Sequence, residues 1–119
     1  MFSKLKDVLL HSGYRVILTS DFTRQKSGGL ARATKGYILP DDLKIFINKH
    51  IDINDRVVTL IHELLHEIKP SWEEIKVDRN SKKIFKKLTI SELGFLQFFI
   101  MSPAEVRSVL NTHKSYLNA

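Results

Sequence analysis

Residues 57–68 constrain this chain more than any other stretch. Val57, Leu60, Ile61, Leu64, Leu65 and Ile68 recur at i, i+3, i+4, i+7, i+8 and i+11, the spacing of one apolar stripe along an α-helix. Such a stripe has to be covered, so this helix belongs at the centre of whatever core the chain builds. Its start is expected near residues 52–55, where Asp and Asn side chains can cap free backbone donors. Pro70 ends it, because proline lacks the amide hydrogen and clashes with the preceding turn. Ser71, with Glu74 three residues on, reads as the N-cap of a second helix. The pattern therefore predicts an αα-hairpin centred near Pro70.

His62 and His66 each follow a stripe residue by one position, which turns them about 100° from the stripe, to the border between core and open surface. Four residues apart, they share a helix face and can aim ring nitrogens at one metal ion, with Glu63 beside them. Counting outward from Pro70, Glu74 mirrors His66 and Asp78 mirrors His62. In an antiparallel pair, residues at equal distances from the turn lie side by side. Glu74 is then placed as a third, oxygen ligand, and Asp78 as a carboxylate that holds the His62 ring from behind. Both Ser71-x-x-Glu74 and Thr89-x-x-Glu92 also read as capping boxes, in which the glutamate serves only a backbone donor.

Upstream, the pattern changes to short β-like runs. Residues 3–11 suit a short amphipathic helix closed by Ser12-Gly13; residues 14–19, 30–37 and 43–48 read as three strands, with a turn at Pro40-Asp41-Asp42. The expected fold class is α+β: a small three-stranded sheet in the N-terminal half packed on a helical C-terminal half. With 119 residues and 43% hydrophobic content, one domain over 1–119 is the expectation. The chain has no cysteine, which excludes disulfides and thiolate ligands and leaves any metal to His and carboxylates. The N-terminal residues do not fit a secretory signal, and the apolar run 93–101 is too short for a membrane span, so a cytoplasmic protein is expected. The net charge is +6, with Lys82, Lys83, Lys86 and Lys87 on one segment. No aromatic or Gly-rich nucleic-acid motif accompanies them, and a solvated helix face is the favoured reading.

His62-Glu63-Leu64-Leu65-His66, followed by Glu74-Ile75-Lys76-Val77-Asp78, resembles the gluzincin pattern of zinc metallopeptidases, in which HExxH precedes a "glutamate helix" bearing Glu-x-x-x-Asp. The resemblance implies Glu74 as third zinc ligand and Asp78 as support of His62. Small size and sheet-then-helix order are similar to the minigluzincins, whose resemblance implies that the site can be latent, blocked by the chain itself, for which His113 is a candidate. The segment from Glu92 to Pro103 is more weakly similar to the ImmA/IrrE metallopeptidases, which implies Glu92 as an alternative third ligand.

The expected chemistry is peptide hydrolysis by a zinc-bound water, with Glu63 as general base and then general acid. A peptide substrate is expected to pair with a sheet edge, either 30–34 or 43–48. Tyr37, Tyr116, Arg32 and His113 are candidates for stabilising the oxyanion. Two other readings remain: a zinc-binding regulatory or interaction domain without turnover, and a basic nucleic-acid binder in which HELLH is accidental.

Overall fold

A computed structural model describes residues 1–20 and 35–117, the side chains of 112–117 excepted. The described elements are α1 (Phe2–His11), β1 (Arg15–Thr19), β2 (Gly36–Leu39), a 3-10 turn (Pro40–Asp42), β3 (Lys44–Asn48), α2 (Ile53–Ile68), α3 (Glu74–Lys87), α4 (Ile90–Phe99) and α5 (Pro103–Leu117). The architecture is α+β, with the sheet in the N-terminal half as expected.

The apolar stripe behaves as its spacing demands. Val57, Leu60, Ile61, Leu64 and Leu65 are fully buried, and α2 packs against α1, β2, β3, α3 and α4. Burying a side chain of this size contributes about 1.5–3 kcal/mol, so the five make α2 the hub of the core. Leu5 and Leu9 of α1, Ile45 and Ile47 of β3, Val77 of α3 and Leu96 of α4 close around it.

The strands are ordered β1-β3-β2, with β1 parallel and β2 antiparallel to β3. The run 43–48 therefore supplies the central strand, and its expected role as a substrate-pairing edge is excluded: its backbone donors and acceptors face β1 on one side and β2 on the other. Of the strand expected over 30–37, Gly36 and Tyr37 belong to β2, which runs on to Leu39; residues 30–34 lie outside the described residues. Leu43, expected inside the third strand, adopts a left-handed conformation (φ 53°, ψ 48°) as the C-cap of the 3-10 turn. That backbone costs roughly 1 kcal/mol for a residue with a Cβ. Hydrogen bonds from its amide to the Pro40 carbonyl (3.2 Å) and from Arg15 N to its own carbonyl (2.9 Å) hold it there.

Gly36 marks a close approach of β2 to α2. A Cβ at that position would lie 2.6 Å from Thr59 Cγ2 and 2.8 Å from the Phe46 carbonyl oxygen. One of the two neighbours is backbone and cannot simply turn away. Gly36→Ala is expected to lower stability by about 1–3 kcal/mol through overpacking, read as a reduced urea midpoint at unchanged m-value.

Two corner ties complete the frame. The buried Tyr14 phenol donates to Glu67 Oε2 at 2.9 Å, joining the start of the sheet to the end of α2; burial and this bond push its pKa up to about 12. Arg56, also buried, uses every guanidinium donor. Nη1 reaches the Ile100 carbonyl (2.9 Å) and Glu105 Oε1 (2.8 Å), Nη2 reaches the Lys49 carbonyl (2.7 Å) and Glu105 Oε2 (3.0 Å), and Nε reaches the Ile51 carbonyl (3.1 Å). Glu105 doubles as the capping residue of α5, exchanging hydrogen bonds with Ser102.

Candidate metal centre

α2 ends at Ile68 and α3 begins at Glu74, so the chain reverses through residues 69–73 and the two helices pack together. The expected cap differs in detail. Ser71 does not cap α3; the N-cap position is Glu73, without a side-chain bond, and no Ser71–Glu74 capping box forms. Glu74, freed from that role, turns toward the histidines.

Its carboxylate bridges them: His62 Nε2 lies 2.5 Å from Glu74 Oε1 and His66 Nε2 lies 3.0 Å from Glu74 Oε2. The imidazoles sit one helical turn apart with ring centres 4.9 Å from each other. Asp78 Oδ1 stands 3.8 Å from His62 Nδ1, on the opposite side of that ring from Glu74. Its other oxygen pairs with Lys82 Nζ at 3.0 Å. The four residues that counting from Pro70 sets side by side do lie together, with Glu74 reaching one turn further than expected and touching both histidines.

One ligand atom from each of His62, His66 and Glu74 lies within 4.8 Å of the other two, making this group a candidate cage for a metal ion. Exposure rises across it, from 16% for the His62 side chain through 30% for His66 to 68% for Glu74. The site is anchored in the core at one end and wet at the other. Ligands held tetrahedrally at 2.0–2.1 Å from zinc stand about 3.4 Å apart, wider than either histidine–Glu74 contact, so Glu74 has to draw back to admit the ion. As a solvent-exposed side chain on the first turn of α3, it has the freedom to do so.

Glu63 is buried against the core on the inner side of the same helix. Burial, with the Glu74 carboxylate adding like-charge repulsion, pushes its carboxyl up to about 8. The extent of this burial escapes a reading that treats Glu63 only as the residue beside His62. The available signal is its position three residues after Leu60, on the edge of the stripe.

The remaining candidates separate cleanly. Glu92 closes a full capping box: Thr89 N donates to its Oε1 at 2.9 Å, and its own amide donates to Thr89 Oγ1 at 3.2 Å. It caps α4 and stands outside the His62–His66–Glu74 group. Tyr37 stacks on Phe46 at 4.8 Å. Since Ile45 and Ile47 turn inward and side chains alternate along a strand, this pair lies on the sheet face away from α2, which removes Tyr37 as an oxyanion donor. Arg32 and the side chains of His113 and Tyr116 lie outside the described residues.

Among the described residues, no helix is long and apolar enough to cross a membrane. Comparison with known proteins found no matching family model, no matching curated protein and no matching solved structure.

Proposed function

We propose that this chain is a zinc-dependent peptidase. The observation that carries the reading is the convergence of His62 Nε2, His66 Nε2 and the Glu74 carboxylate on one point at the edge of the core, one residue from a buried glutamate. These three side chains would hold the ion, an all-nitrogen-and-oxygen set that suits zinc and leaves one position open. When bound, zinc supplies Lewis acidity, polarising a peptide carbonyl and bringing the pKa of a water toward about 7.

The chain's own groups account for the rest. Glu63 accepts a proton from the attacking water as its oxygen joins the carbonyl carbon, then returns the proton to the amine as the C–N bond breaks. Burial and the neighbouring Glu74 carboxylate raise the proton affinity of Glu63, which strengthens its ionised form as the acceptor of water's proton. Asp78 Oδ1 stands 3.8 Å from His62 Nδ1, too far for a hydrogen bond but close enough to become the acceptor of an Nδ1 proton once the ring or the carboxylate shifts, which would leave Nε2 as the ligand atom. Among the described residues β2 pairs with β3 along one side only, and its Gly36 packs on Thr59, one turn before the histidines. Its other side is where the backbone of an extended peptide can add as a further strand.

Elemental analysis tests the ligand set. The purified chain is expected to carry one equivalent of zinc, Glu74→Ala to lose it and Glu92→Ala to keep it. Asp78→Ala is expected to weaken zinc by about 10–100-fold, as the loss of a ring-orienting partner does elsewhere. Retention of full zinc affinity by Glu74→Ala would sink the three-ligand site. Absence of cleavage across a broad peptide library by the zinc-loaded protein would leave a metal-binding domain without turnover.

A further inference from the structure

A second surface has a different chemistry. Lys82, Lys83, Lys86 and Lys87 are all exposed along the C-terminal half of α3, and Lys82 is joined to Asp78. Three residues after Lys87, α4 opens with Ile90, 92% exposed, and carries Phe98 at 72% exposure. Ile90, Gly94 and Phe98 are spaced four apart and share one face of α4 over about 12 Å of helix. Even a Cβ at Gly94 would meet nothing within 4 Å. α4 is therefore an apolar helix that buries only Leu96 within its own span and, among the described residues, leaves its outer stripe uncovered.

Charge selects the occupant. From residue 79 to residue 104 the chain has five cations and one carboxylate, Glu92, already engaged in its capping box. A second copy would bring like-charged lysines together across a two-fold contact. Nucleic acid would take up the lysines but gives an exposed isoleucine nothing to stack on. An anionic bilayer satisfies both: lysine ammoniums stay among the headgroups while Ile90 and Phe98 enter the boundary with the acyl chains.

We infer that the junction of α3 and α4 is a membrane-surface docking site for anionic lipid, with Lys83, Lys86 and Lys87 as its electrostatic part and Ile90 and Phe98 as its inserting part. It uses none of the side chains of the histidine cluster and needs no metal.

Cosedimentation with large vesicles in the presence of a chelator tests it independently of any peptidase activity. The full chain is expected to bind phosphatidylcholine vesicles containing about a third phosphatidylglycerol, and not pure phosphatidylcholine. Each of Lys86→Gln and Lys87→Gln is expected to weaken binding about fivefold, with the effect shrinking as salt is raised. Phe98→Ser is expected to weaken it at least about tenfold, since the ring leaves water only on insertion. Melting curves should match the parent, because all three side chains are exposed. No preference for anionic vesicles overturns the inference, and so does anionic binding indifferent to Phe98→Ser. Binding of an RNA or DNA fragment with the vesicles ignored overturns it equally.

Discussion

Arg56→Met is expected to destabilise the fold by about 3–5 kcal/mol, a large part of the stability of a domain this size. Methionine keeps most of the volume, so packing changes little. What is lost is a guanidinium, 7% exposed, whose five donors tie three carbonyls and one carboxylate from three parts of the chain: the end of the sheet, the end of α4 and the start of α5. The carbonyls of Lys49, Ile51 and Ile100 lose their partner, and each unpaired buried acceptor costs about 1–3 kcal/mol. The pH dependence identifies the partner. Arg56 and the Ser102 amide hold Glu105 down at about 2, so the unfolded chain takes up this proton at higher pH than the folded one. The stabilisation is complete above the ordinary carboxylate range and is lost as pH falls from about 4.5 toward 2. With the Glu105 side chain 32% exposed, solvent screening limits that share to about 1–2 kcal/mol. Urea titrations at pH 7, 4 and 3 should show the acid limb in the parent and a flattened one in Arg56→Met and Glu105→Gln. An unchanged acid limb in Glu105→Gln would assign it to other carboxylates.

The difference between what local pattern reveals and what it hides is visible in this same residue. The six-residue apolar stripe was legible because burial on one helix face leaves a 3.6-residue period, and every stripe residue from Val57 to Leu65 is fully buried. Arg56 lies four residues before Leu60, on that stripe, where an unpaired cation could not remain. Its partner is 49 residues further on, in a Ser102-Pro103-Ala104-Glu105 helix start that explains itself locally as a cap. A local role hid a long-range one. The sheet shows the same limit. Strand-like runs can be picked out by composition, yet no local feature says that β3, last in sequence, is central in space, because that order depends on pairings between distant residues. The edge chosen for substrate at 43–48 failed for this reason.

Legibility of the candidate centre rested on geometry that a hairpin imposes. Two antiparallel helices that reverse after Pro70 have to set positions 66 and 74 near each other, whatever the side chains are, and His62, His66, Glu74 and Asp78 do converge. Less legible was the choice between capping and ligation for a Ser-x-x-Glu or Thr-x-x-Glu pattern. At Thr89 the helix starts on the next residue and the box closes; at Ser71 the helix starts three residues later, so Glu74 is its first residue and cannot reach back as a cap. The two motifs have opposite outcomes because the residues after Ser71 still belong to the turn, where Trp72 N bonds back to the Lys69 carbonyl at 3.0 Å.

Glu63→Gln is expected to reduce peptide hydrolysis by about 10²–10⁴-fold while zinc remains stoichiometric. Two charged residues interrupt the face of α2 that enters the core, and the fold treats them in opposite ways. Arg56 is compensated donor by donor and so is structural, whereas Glu63 sits beside the candidate ligands, where burial raises its affinity for a proton. Glutamine has the same shape and no charge to bury, so packing around Leu60 and Leu64 survives and the melting temperature should not fall. It cannot accept the proton of an attacking water, and that single function is what the substitution removes. Zinc content, melting temperature and turnover, measured on one preparation, separate the possibilities. Loss of turnover with metal and fold intact makes Glu63 the proton carrier. Turnover equal to the parent would show that burial of this carboxyl serves the core alone, and that hydrolysis at this centre, if observed, draws on another base.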